Sequence, residues 1–158
     1  MEINPQTVEN RLHAEQTLKE QQVAWAEELD LIDAELARRD LHHFVKKVWE
    51  FVEPDVEFVD NWHIRELCRV LEFVSRGEIQ RIIINVPPGT MKSLLVSVMW
   101  PAWEWATRPQ LRYLTASYGA HLTTRDNLRI KGIIASPWYQ RHFGLALVDD
   151  QNQKTRFN

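Results

Sequence analysis

Cysteine is nearly missing from this chain: Cys68 is the only one in 158 residues. A disulfide framework and a four-cysteine zinc site are both excluded, and a reducing compartment is the natural expectation. Charge of one sign is missing too. Nineteen Lys and Arg face 22 Asp and Glu, a net charge of −3, so no strongly basic body announces nucleic acid. No apolar run approaches the roughly 18–20 residues of a membrane span. The opening Met1–Asn4 and Pro5 show neither the basic stretch nor the apolar stretch of a secretory signal, so none is expected. What is present is apolar material, 44% of the residues. That is enough for a core and excludes wholesale disorder. The length fits one domain, or one domain with a short appendage. Tryptophan is abundant, seven in all, with Trp100, Trp103 and Trp105 close together.

Charge is unevenly spread. Residues 1–40 hold ten acids and four bases, a net of −6, which leaves +3 for the rest. The acidic front has no glycine and, after Pro5, no proline. Its apolar residues Leu18, Val23, Trp25, Leu29, Ile32 and Leu36 recur at helical intervals, with slips. The spacing predicts one or two amphipathic helices over about 6–39. They either pack on the domain that follows or form a docking arm for a neighbouring subunit or partner. A further helical pattern, Phe44, Val45, Val48, Trp49, Val52, should stop at Pro54. We place the acidic helical segment at 1–55 and the body at 56–158.

In the body, Asp60-Asn61 can cap a helix through Ile64, Leu67, Cys68 and Leu71 that Gly77 ends. The β-branched run Ile79–Val86 predicts a buried strand. After the loop Pro87–Met91, an apolar helix is expected from Lys92-Ser93 toward Trp105, kinked or interrupted at Pro101. Leu111–Ser117 reads as a second strand. The stripe Leu122, Ile130, Ile133, Ile134 reads as a third helix, ended by Pro137. This order predicts an α/β layer structure with a parallel sheet flanked by helices.

Chemistry could sit at the loop. A phosphate-binding loop needs backbone N–H groups around an anion at a helix N-terminus. It also needs a lysine for the β- and γ-phosphates and a hydroxyl on Mg²⁺. Lys92 and Ser93 stand where such a lysine and hydroxyl would. The standard G-x-x-x-x-G-K-[ST] pattern would put glycine at 86 and 91, where this chain has Val86 and Met91. The bland alternative is a tight turn with an exposed lysine.

The run Asn85–Ser97, with Val86-Pro87-Pro88 and Lys92-Ser93 at its centre, resembles the variant Walker A of the large terminase subunit of tailed bacteriophages. Upstream, Trp62-His63-Ile64 also fits, and downstream further blocks follow in order: Trp100-Pro101-Ala102-Trp103, Ala116-Ser117-Tyr118, Ser136-Pro137-Trp138-Tyr139, and Asp150 through Phe157. The resemblance covers about residues 42–158.

The resemblance implies an additional-strand P-loop ATPase, the motor that packages viral double-stranded DNA, with ATP and Mg²⁺ as its ligands. Pro88, Gly89, Thr90, Met91, Lys92 and Ser93 would bind the nucleotide. Lys92 would neutralise phosphate charge and Ser93 would ligate the metal. An arginine supplied to a neighbouring subunit is also implied. Arg125 and Arg129, four apart on one helix face, are the candidates, Arg129 being preferred. Double-stranded DNA, the portal protein, a small terminase subunit and a homo-oligomeric ring would be the partners, in the host cytoplasm and away from membranes. The Walker B half and the nuclease domain of that family are not found in this sequence, although Asp149-Asp150 could mimic a Walker B. Such a chain is expected to bind ATP without hydrolysing it. The alternative is an inactive truncated or prophage-derived fragment that binds only nucleotide or partner proteins.

Other residues read more plainly. His63 could approach an adenine but is better read as packing or capping. His42-His43 lack a third ligand at helical spacing. Trp100 and Trp103 read as packing rather than a base-stacking platform. Lys46-Lys47 and Arg65-Arg69 read as solvated faces. Ser117 and Cys68 show no catalytic partner.

Overall fold

A computed structural model describes residues 5–145, with side chains for His13 and from Glu15 onward. Every regular element among the described residues is helical: α1 (Pro5–Arg39), α2 (Leu41–Val52), α3 (Trp62–Ser75), α4 (Lys92–Leu94), a π-helical turn (Leu95–Met99), α5 (Trp100–Thr107), α6 (Ala120–Ala135) and α7 (Pro137–Phe143). The chain divides into two compact units, one ending at Glu35 and the other beginning at Leu36.

The first unit holds α1 as far as Glu35. Leu18, Val23, Trp25, Leu29, Leu31 and Ile32 are all exposed along it.

The second unit is built around α2. Asp40 is its N-cap, and its carboxylate accepts the His43 N–H at 3.0 Å. Glu72, from α3, accepts the Leu41 N–H at 2.8 Å, so a second of the orphan donors at this end is satisfied. Leu41, Phe44, Val45, Val48 and Val52 form the buried face of α2. The helix stops at Val52, two residues before Pro54, because proline disfavours helical backbone in the residue before it. Asn61 caps α3, which buries Ile64, Cys68 and Leu71. Its C-terminus closes with Gly77 at φ +78. The Glu78 N–H reaches the Phe73 carbonyl and the Gly77 N–H reaches the Val74 carbonyl, the paired bonds of a Schellman closure.

Leu95, Val98, Met99 and Ala102 add to the core from the π-turn and α5. Ile130, Ile133 and Ile134 come from α6, and Tyr139 comes from α7. Pro101 has no N–H for the Ser97 carbonyl, and the helix reorganises into the π-turn just before it. Ser136 ends α6 and caps α7, accepting the Tyr139 N–H at 3.2 Å. Pro137 follows at the first helical position, where its missing N–H costs nothing. The Tyr139 hydroxyl donates to the Ala102 carbonyl at 2.8 Å.

The expected α/β architecture, a P-loop-like parallel sheet, is overturned. Among the described residues there is no strand. Residues 81–87 and 111–117 have no regular secondary structure, and Ile83 and Leu114 are 88% and 98% exposed. Strand propensity reflects how a side chain packs on a pleated, half-buried surface, and it is realised only beside a neighbouring strand. The apolar faces of α2, α3, α5 and α6 fill the core instead, and these β-branched runs are left outside it.

Candidate functional site

The segment from Pro87 to Ser93 joins an irregular stretch to a helix. Thr90 Oγ1 donates to the Pro87 carbonyl at 2.7 Å, closing a turn over Pro88 and Gly89. Gly89 sits at φ +82, and no atom lies within 4 Å of where a Cβ would stand. Space is therefore open there, and the backbone hand is what calls for glycine. Met91 sits at φ 62 and ψ 1, the one non-glycine residue with positive φ among the described residues. Left-handed backbone costs an ordinary residue roughly 1–2 kcal/mol. The standard phosphate-loop pattern would place glycine at this same position.

The helix opens at Lys92, and no side chain caps it. Its first N–H groups carry the positive end of the helix dipole. Left-handed Met91 followed by right-handed Lys92 turns successive N–H groups toward one side, a shape suited to an anion. Lys92 is half-buried, and Ser93 is exposed.

Arg125 and Arg129 lie together on α6. They line an open groove of about 550 Å³ with Phe51, His121, Thr124 and Leu128. Arg125 donates to the Asp126 carboxylate through Nε at 2.9 Å and Nη2 at 2.8 Å. Arg129 pairs with Glu53. No residue of the 87–93 loop lines this groove, so the two sets of candidate residues occupy different surfaces.

The remaining candidates have structural partners. His42 Nε2 lies 2.9 Å from Asp60, and Arg65 Nη2 lies 2.5 Å from the other oxygen of the same carboxylate. The Arg65 hydrogen bond, aided by His42, holds the Asp60 carboxyl down to about 2. His63 stacks edge-on against Trp62. Trp100 donates its indole N–H to Ser75 Oγ at 2.8 Å, and Trp103 donates its own to the Ala37 carbonyl at 2.9 Å. Cys68 is buried, and burial pushes its thiol up to about 12. Asp149-Asp150, Asp150 through Phe157 and the stretch after Leu145 lie outside the described residues. Among the described residues, no three His, Cys, Asp or Glu side chains converge on a metal-sized site. Among the described residues, no helix is long and apolar enough to cross a membrane.

Sequence reasoning missed one cluster. Glu104 is buried on α5 and takes both Arg108 and the Tyr113 hydroxyl on its carboxylate. Arg108 also donates to the Ser75 carbonyl at 2.9 Å. Burial and the Glu104 charge raise the Tyr113 hydroxyl well above its ordinary range. The i,i+4 spacing of Glu104 and Arg108 was the available signal. The part played by Tyr113 required the fold. The cluster ties the irregular 111–117 segment to α5 and to the end of α3.

Comparison with family models, with curated proteins and with solved structures finds no match to the chain.

Proposed function

We propose that the loop Pro87–Ser93 holds the phosphates of ATP. In this reading the chain is the ATP-binding part of a terminase large subunit, the motor that packages viral double-stranded DNA into a prohead. The reading rests on the ordered sequence blocks from Trp62 to Tyr139 and on the loop; the strand that precedes such a loop in that family is not formed among the described residues. One observation carries it. The left-handed residues Gly89 and Met91 lead into an uncapped helix end that begins with Lys92-Ser93.

Backbone N–H groups from Gly89 to Ser93 would surround the β-phosphate, and Lys92 would offset the charge of the β- and γ-oxygens. The loop fits a hydrated Mg²⁺ to the extent that Ser93 is exposed at the helix start. Ser93 would hold the metal, and the metal supplies charge neutralisation between the phosphates. Arg125 or Arg129, on the separate α6 surface, would serve a nucleotide held by a neighbouring copy in a ring. Such a ring would act on DNA with a portal protein and a small terminase subunit in the host cytoplasm.

Titration of the chain with a fluorescent ATP analogue and Mg²⁺, beside Lys92→Ala, tests this. Saturable binding that is lost in Lys92→Ala supports the reading. A folded protein that does not bind, or that binds equally well without the lysine, overturns it. Hydrolysis measured in the same samples separates a working ATPase from an inactive nucleotide-binding fragment.

A further inference from the structure

The groove on α6 has features that a role for its arginines on a neighbouring copy does not use. Its lining includes Thr124, Arg125, Leu128, Arg129 and Gly132 from α6 and Phe51 from the end of α2. Residues three and four apart share one helix face, so the stripe runs for about two turns. Gly132 leaves its floor bare. It lies in the helix interior without positive φ, and nothing packed against it comes within 4 Å of where a Cβ would stand. Glycine weakens a helix interior relative to alanine, and here neither backbone hand nor a close neighbour calls for it. A side chain at this position would fill the groove.

Phe51 and Leu128 supply apolar surface, Leu128 being 46% exposed. Each arginine is held in place by a carboxylate, Arg125 by Asp126 and Arg129 by Glu53. A guanidinium carries five N–H donors. These bonds use Nε and Nη2 of Arg125 and Nη2 of Arg129, so both keep donors for a further acceptor. A volume of about 550 Å³ with apolar walls and a few fixed polar groups suits a small organic ligand.

Charge sets the class of that ligand. At pH 7.5, above the ordinary imidazole range of about 6.5, the two guanidiniums and two carboxylates sum to zero. An entering anion meets Glu53 and Asp126 as like charges, at a cost that grows with its own charge. A carboxylate carries a single charge, and its planar group matches the guanidinium fork. A phosphate dianion meets twice the repulsion.

We infer that the α6 groove binds an organic monocarboxylate. Its apolar body covers Phe51, Leu128 and Gly132, and its carboxylate accepts from the remaining N–H groups of Arg125 and Arg129. The 87–93 loop takes no part.

The test is an NMR titration of the full chain at pH 7.5 with 2-naphthoate and no nucleotide. Saturable shifts are expected in α6 and at the end of α2. The uncharged 2-naphthalenemethanol should bind more weakly, and 2-naphthyl phosphate no better than the carboxylate. Arg129→Met should weaken 2-naphthoate binding by at least about tenfold. Glu53→Gln, which releases Arg129 and removes a like charge, should tighten it severalfold. Gly132→Leu should abolish it with an equal or higher thermal midpoint, because leucine is the better helix former. Should that variant not fold, the opposite shifts in Arg129→Met and Glu53→Gln still decide. No saturable shift, shifts centred on 87–93, equal affinity for the alcohol, tighter binding of the phosphate, or unchanged affinity in a folded Gly132→Leu overturns the assignment. Failure of ATP binding at the loop leaves it untouched.

Discussion

Met91 allows a test in which the sign of a stability difference decides. Its φ of 62 and ψ of 1 place it in the left-handed region, where a Cβ crowds the following carbonyl at a cost of roughly 1–2 kcal/mol. Met91→Gly and Met91→Ala both remove the thioether side chain, so their difference isolates the Cβ. Alanine retains the crowding. Glycine relieves it but enters the fold from a freer unfolded chain, which offsets about 0.4–1 kcal/mol. The balance leaves the glycine variant more stable than the alanine variant by about 1 kcal/mol. At an ordinary helical position the order is reversed, with glycine worse by roughly 0.5–1 kcal/mol. Urea unfolding followed by tryptophan fluorescence reads the difference, with equal m-values confirming that only stability has changed. An alanine variant as stable as the glycine variant, or more so, would refute the left-handed assignment. It would also remove the main geometric support for a phosphate loop.

Two further outcomes follow from the titrating groups. Asp60, held down to about 2 by Arg65 and His42, contributes stability that is complete above its ordinary value of 3.8 and is lost as pH falls toward 2. Asp60→Asn should therefore flatten the acid limb of the stability profile between about pH 4 and pH 2, as read by thermal melts across pH. Cys68 is 1% exposed, and its thiol is pushed up to about 12. It should resist a thiol-specific reagent at pH 8 in the native state and react stoichiometrically once urea unfolds the chain; fast labelling of native protein would contradict its place in the core.

Much of the helical framework was legible because its signals are local. Gly77, Asn61, Pro54 and Pro137 mark ends through backbone hand, a side-chain oxygen or a missing N–H, and none of these needs a distant neighbour. Phe44, Val45, Val48 and Val52, and Ile130, Ile133 and Ile134, are buried as their spacing requires, while Trp49 is half-buried. The left-handed backbone at position 91 was not legible, since methionine carries no signal for it. The strands were not legible. Ile79–Val86 and Leu111–Ser117 have the composition of strands, yet a strand depends on a partner's hydrogen bonds and on a covering face. Local sequence carries no information about either. The Glu104–Arg108–Tyr113 cluster failed for a related reason, because Tyr113 meets Glu104 only after the chain has turned back on α5.

The sequence by itself determined where several of the helices end, α7 not among them, which faces of α2, α3 and α6 are apolar, and where a lysine and a hydroxyl follow a constrained loop. These are properties of residues within a turn or two of one another. Only the tertiary structure decided that the core is made of helices, that Ile83 and Leu114 stand outside it, and that Arg125 and Arg129 line a groove away from the loop. Those outcomes depend on which surfaces meet across the fold, and burial is a competition that no segment settles alone.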